Sequence, residues 1–166
     1  MVFKFIENLS FRQVMWLIAF ACVAMLGFGY YLQHVVGLEP CPMCVVQRYA
    51  MVIIAVLAII TPAIATKFIF LTGSGLLIVT ALTGAFVAAR QSWLQWYPPE
   101  IASCGRDIYG MIETFPLQKV LPMIFKGSGD CTKIDWMFLG LSIANWSFLC
   151  FCGIAIIAIW NLLKNK

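Results

Sequence analysis

Residues 41–65 read CPMCVVQRYAMVIIAVLAIITPAIA: two cysteines open a run that is apolar almost throughout and holds one charge, Arg48. An α-helix needs roughly 20 such residues to cross the hydrocarbon of a bilayer, and residues 45–65 of this run supply them. Three more runs of similar length lie at 14–32, 68–89 and 143–163. Each is apolar on all sides rather than along one stripe, as lipid-facing helices are. With 63% hydrophobic and 11% charged residues, the chain is excluded from the ordinary soluble domains. The sequence therefore predicts an all-α membrane protein, a four-transmembrane-helix bundle forming a single membrane domain over residues 1–166.

The net charge of +4 reports topology. Lys4, Glu7, Arg12, Lys67, Lys164 and Lys166 fall in segments 1–13, 66–67 and 164–166, and together they carry +4. In the long segment 90–142, Arg90, Arg106, Lys119, Lys126 and Lys133 are balanced by Glu100, Asp107, Glu113, Asp130 and Asp135. Short loops rich in Lys and Arg stay on the cytoplasmic side, so both termini are expected there. Segments 33–44 and 90–142 then face outward, which in a bacterium means the periplasm, where disulfides persist. Because the basic balance is explained by orientation in a lipid bilayer, it does not point to nucleic acid as a partner. Ala19-Phe20-Ala21 before Cys22 loosely resembles a cleavage or lipidation site, but the apolar run continues to residue 32 and reads as an uncleaved first span.

The long outer loop has its own pattern. Trp93, Trp96 and Tyr97 at its entrance, with Trp136 and Trp146 at its exit, fit an interfacial aromatic belt, and Pro98-Pro99 stops any helix. Leu117, Val120, Leu121 and Ile124 fall at helical spacing beside Lys119 and Lys126, as a short helix lying on the membrane surface would have them. A loop packed on the span ends accounts for the same residues. Gly127-Ser128-Gly129-Asp130 forms a flexible turn before Cys131.

Chemistry points to Cys41 and Cys44, then to Cys104 and Cys131, all on the outer side. A C-x-x-C pair at a helix N-terminus meets exposed N–H groups and the positive end of the helix dipole, which stabilise a thiolate. Cys44, nearer the helix body, is expected to gain more of this effect than Cys41. Arg48 follows Cys44 by one turn on the same face. It can stabilise that thiolate, meet an oxyanion on a bound quinone, or snorkel to lipid phosphates. Gln47 is either a second polar contact or an interfacial residue. Cys104 and Cys131 can form a structural staple or an exchanging disulfide. Zinc binding by Cys41, Cys44 and His34 with another cysteine competes with the tendency of outward-facing thiols to oxidise, and no metal is expected. Cys22, Cys150 and Cys152 lie inside spans and read as small apolar residues.

Gln33-His34, Pro40-Cys41-x-x-Cys44, Arg48, Tyr97-Pro98, Cys104, Ser128-Gly129-Asp130-Cys131, and Trp136 with Phe138-Leu139-Gly140 together resemble the DsbB family. These are bacterial inner-membrane, quinone-dependent protein-disulfide oxidoreductases. The resemblance runs from the first span to the last with both cysteine pairs in register. It implies that Cys41, Cys44, Cys104 and Cys131 are catalytic. A periplasmic thioredoxin-like thiol oxidase of the DsbA type would attack a Cys104–Cys131 disulfide, forming a mixed disulfide at Cys104. Cys131 would then attack Cys41 of a Cys41–Cys44 disulfide. Cys44 would pass the electrons to ubiquinone or menaquinone, with Arg48 beside the ring; Gln47 is the second candidate contact. In the family this route keeps the periplasm oxidising. The chain departs from the family at Gln91, which stands where the family has a histidine implicated near the quinone. Two other readings compete: a reductase of the vitamin K epoxide reductase kind, whose active pair usually lies late in the bundle, and a four-span scaffold with inert loop disulfides.

Overall fold

Each helix begins where a side chain can accept one of the backbone N–H groups that a first turn leaves without a partner. Ser10 caps α1 (Phe11–His34) in a reciprocal capping box with Gln13. Cys41 caps α2 (Pro42–Ala63), with Pro42 at a first-turn position where a missing N–H costs nothing. Thr66 caps α3 (Lys67–Trp96), and Ser142 caps α4 (Ile143–Lys164). Between α3 and α4, β1 (Met137–Phe138) and β2 (Leu141–Ser142) pair antiparallel, turning at Leu139 and Gly140, both with positive φ. Two positive φ values suit the tight hairpin turn that follows the right-handed strand twist. This computed structural model describes residues 9–38, 40–64, 66–98, 132, 134 and 136–165. The surface helix expected near 117–124, and Cys104 and Cys131, lie outside the described residues.

Among the described residues four helices are long and apolar enough to cross a membrane, and the chain is a multi-pass membrane protein with an all-α bundle. α3 continues past the apolar stretch 68–89 to Trp96 and stops just ahead of Pro98. That extra length carries Gln91 and Gln95 to the cysteine end of the bundle. The helices pack in chain order, α1 on α2, α2 on α3 and α3 on α4, whereas α1 and α4 touch little. Their core joins Met15, Ile18 and Cys22 to Met51, Ile54 and Ala58, and Leu77, Ala81 and Ala85 to Phe151 and Ala155.

The exterior is as apolar as the core: Trp16, Phe20, Phe68, Phe86 and Leu163 are all exposed. Between lipid and core there is little hydrophobic difference, so close packing and hydrogen bonds decide which faces meet. α3 supplies the close approach. A Cβ on Gly84 would lie 2.5 Å from the Phe151 ring, and Gly73 is pressed against Thr61 in the same way. Thr72, Thr80 and Thr83, on the exposed side of α3, turn their hydroxyls back to carbonyls of the preceding turn at 2.7, 2.8 and 2.9 Å. This satisfies polar groups that lipid cannot.

Phe151 is fully buried and has nowhere to move. Gly84→Ala is therefore expected to cost about 1–3 kcal/mol by overpacking. Gly75→Ala, where nothing lies within 4 Å of the new carbon, should be neutral or slightly stabilising. Thermal unfolding in detergent micelles reads both; equal midpoints would contradict the packing of α3 on α4.

Candidate active site

At the end of the bundle where α1 stops and α2 starts, the Cys41 and Cys44 sulfurs lie 2.9 Å apart. Only a small shift separates that spacing from the ~2.05 Å of a disulfide bond. The first turn of α2 creates this proximity: residues three apart share a helix face, and the extended backbone of Cys41 folds its side chain over the N-terminus. The Cys44 amide N–H donates to Cys41 Sγ at 3.4 Å. The helix N-terminus thus serves Cys41 directly, where the sequence had pointed to Cys44 as the main beneficiary. Cys44 Sγ has a different donor.

That donor is Gln91 of α3. Its Nε2 lies 3.2 Å from Cys44 Sγ and 3.4 Å from Cys41 Sγ, so one carboxamide spans both sulfurs. Its Oε1 lies 3.7 Å from Cys44 Sγ and accepts from Gln47 Nε2 at 2.7 Å. Gln47 and Gln91 are each only 4% exposed, a polar contact buried between α2 and α3. Interhelical hydrogen bonds of this kind contribute about 0.6 kcal/mol on average in membrane proteins. The larger consequence is geometric, since the contact holds α3 against the cysteine turn.

Arg48, half-buried on α2, reaches across to α1. Nη1 donates to Gln33 Oε1, Nη2 donates to the Gly29 carbonyl at 3.1 Å, and the guanidinium lies 5.6 Å from the Tyr30 ring centre. A charge in such apolar surroundings is tolerated because protein groups replace water around it.

These side chains line one cavity of about 580 Å³ to which α1, α2, α3 and α4 all contribute. Its walls are mainly apolar, with Met25, Leu32 and Met51 among them, and its polar atoms come from few residues: Gln33, Gln47, Arg48, Gln91 and Gln95 with two serines. Aromatic rings cover it. Phe28 of α1 meets Trp136 edge-on at 5.5 Å, Trp136 stacks with Phe138 at 5.9 Å, and Phe138 lies 6.1 Å from Trp146 of α4. Trp146 Nε1 donates to the Phe138 carbonyl at 3.1 Å, which fastens the hairpin to α4. The Ser142 hydroxyl donates to Gln95 Oε1 at 2.6 Å and ties the hairpin's end to α3.

Of the residues singled out in the sequence, Cys41, Cys44, Gln47 and Arg48 come together on this cavity, while Cys104 and Cys131 lie outside the described residues. Cys22 is buried in the core, whereas Cys150, read as a spectator, lies on the cavity wall. The sequence marks Gln91 only as a departure from a family pattern and gives no role to Gln95. A signal was present: two glutamines four residues apart, on one face, at the end of an otherwise apolar helix. Among the described residues no three His, Cys, Asp or Glu side chains converge as metal ligands would.

A bundle that crosses the membrane and holds a close pair of cysteine sulfurs against an apolar cavity belongs to the membrane disulfide oxidoreductases. The family model for the disulfide bond formation protein DsbB matches residues 11–161. The disulfide bond formation protein B of Polaromonas sp. strain JS666 is 70% identical over 148 residues, covering 89% of this chain and 88% of its own. Those of Albidiferax ferrireducens and Azoarcus sp. strain BH72 are 60% and 52% identical, covering 93% of this chain in each case and 91% and 95% of their own. The chain belongs to the DsbB family, and its function is disulfide bond formation.

The aromatic cover makes its own prediction. Trp146→Phe keeps a ring but loses the bond to Phe138, at a cost of about 0.5–1.5 kcal/mol. Trp146→Ala loses both, and alkylation of Cys44 by a bulky maleimide should then quicken several-fold, on the order of the same free energy. Mass spectrometry of the labelled peptide measures the rate, and an unchanged rate would mean the rings do not cover the site.

Proposed function

We propose that this chain sits in the bacterial inner membrane with both termini cytoplasmic, oxidises a periplasmic DsbA-like dithiol, and hands the electrons to ubiquinone or menaquinone. The orientation follows from the Lys and Arg excess in segments 1–13, 66–67 and 164–166. The observation that carries the acceptor is the shared wall: Cys44 and Arg48 border one apolar cavity of about 580 Å³, where α1 and α4 touch little. Small-molecule sites commonly enclose about 300–1,000 Å³ and combine apolar walls with a few placed polar groups. A flat ring on an isoprenoid tail fits such a cavity and can enter it from the lipid.

In this reading Cys104 takes the partner's thiolate into a mixed disulfide and releases the Cys131 thiol. The partner's second thiol resolves that bond and leaves as a disulfide. Cys131 attacks Cys41, Cys44 departs as a thiolate, and Cys104 closes again on Cys131. Two electrons and two protons have then passed from the partner to Cys41 and Cys44. Cys41 and Cys44 close their disulfide again by giving up those electrons and protons, which a quinone bound in the cavity would accept. Arg48, already fixed by Gln33 and the Gly29 carbonyl, retains further N–H donors for a ring oxygen. Gln47 lines the wall beside it.

Cys44→Ser is expected to abolish quinone reduction while the mixed disulfide at Cys104 still forms. Arg48→Ala should lower kcat/KM for quinone about tenfold or more, the equivalent of about 1.4 kcal/mol, with partner binding little changed. Quinone absorbance and a trapping gel read the two steps separately. Full quinone turnover in either variant would refute the role given to that residue.

A further inference from the structure

The carboxamide of Gln91 has two ends of similar shape and opposite character, and its neighbours decide which end meets the sulfurs. Gln47 Nε2, an obligate donor, stands 2.7 Å from Gln91 Oε1. That contact requires oxygen on the Gln47 side, where it also stands 3.7 Å from Cys44 Sγ, and leaves the NH₂ group as the end that meets both cysteines. Nε2 then lies within reach of both sulfurs, 3.4 Å from Cys41 and 3.2 Å from Cys44. With both glutamines 4% exposed, water does not compete for these bonds.

We infer that Gln91 is a catalytic residue that stabilises negative charge on the Cys41–Cys44 pair, and that Gln47 is the positioning residue that keeps its N–H groups turned toward the sulfurs. A disulfide sulfur is a poor acceptor and a thiolate a strong one, so the amide favours the reduced, ionised pair over the oxidised pair. Stabilising the reduced form makes a dithiol couple more oxidising. A carboxamide does this without gaining or losing a proton. The inference deepens the relay reading, from which it takes the redox role of the pair, but its test needs neither quinone nor protein partner.

The full-length chain with Cys104 and Cys131 replaced by serine is equilibrated in detergent with glutathione and glutathione disulfide. In this exchange the Cys41–Cys44 disulfide and two glutathione thiols give two protein thiols and one glutathione disulfide. Alkylation and mass spectrometry measure the oxidised fraction. Gln91→Met keeps the side chain's bulk and removes the donor; it should shift the equilibrium about tenfold or more toward the protein disulfide. Gln91→Glu should shift it at least as far. Gln47→Glu leaves Gln91 in place but asks it for an N–H, turning the amide oxygen to the sulfurs, and should match Gln91→Glu. Gln47→Met, which only frees the amide to rotate, should fall between these and the unsubstituted Gln47–Gln91 pair.

A role confined to packing would lower melting temperatures and leave the equilibrium of the folded fraction unmoved. If Gln91→Met does not fold, Gln47→Glu carries the same test. Equilibria within about twofold of the unsubstituted pair would overturn the inference while leaving quinone turnover intact. Loss of quinone turnover in the native chain alongside the expected glutathione shifts would instead overturn the proposed electron acceptor.

Discussion

Hydrocarbon offers a polar side chain no water, so an amide or a charge buried in a membrane bundle requires a partner in the protein. At the cysteine end of this bundle that requirement is met by the Gln47–Gln91 contact. The contact binds α2 to α3 at the level of Cys41 and Cys44 and orients the amide that meets both sulfurs. Arg48 satisfies the same requirement in the opposite direction, reaching Gln33 and the Gly29 carbonyl on α1. α2 is therefore tied on both flanks close to the turn that carries Cys41 and Cys44. The apolar cavity lies between these two polar clasps and α4.

Packing elsewhere supports that end. Gly84 lets Phe151 of α4 press against α3, so two helices that present no hydrophobic contrast to lipid nevertheless have one preferred seat. The hairpin is held to α3 through Ser142 and Gln95 and to α4 through Trp146, and its rings cover the cavity. The result is a close pair of cysteines set on the wall of an apolar cavity under a cover of aromatic rings. A scaffold with inert disulfides requires no such cavity. A vitamin K epoxide reductase-like protein usually has its active pair late in the bundle rather than at the start of the second helix, and the family that matches this chain is DsbB.

Much of this was legible in the chain. Four apolar runs, the Cys-Pro-Met-Cys turn with Pro42 at the helix start, and Arg48 one turn beyond Cys44 are local patterns, and local patterns survive without knowledge of the neighbours. The family resemblance draws on the cysteine turn and Arg48 together with motifs in the two outer segments. What stayed hidden depends on facing. Nothing local tells which side of α3 carries Gln91 toward the sulfurs, or that Cys150 borders the cavity while Cys22 packs in the core. The N–H of Cys44 favours Cys41 because the chain bends at the cap, a conformation that spacing alone does not reveal. Gln95 gains its meaning only when Ser142 arrives from the far end of the loop.

The central claim is that the Cys41–Cys44 pair itself empties its electrons into a lipid-soluble acceptor. A single-turnover measurement tests it most directly: the chain lacking Cys104 and Cys131 is fully reduced, freed of reductant and mixed anaerobically with a quinone. One quinol formed per chain, in step with closure of the Cys41–Cys44 disulfide, is the result this account predicts. Quinone left unreduced, with both thiols still open to alkylation, would contradict it.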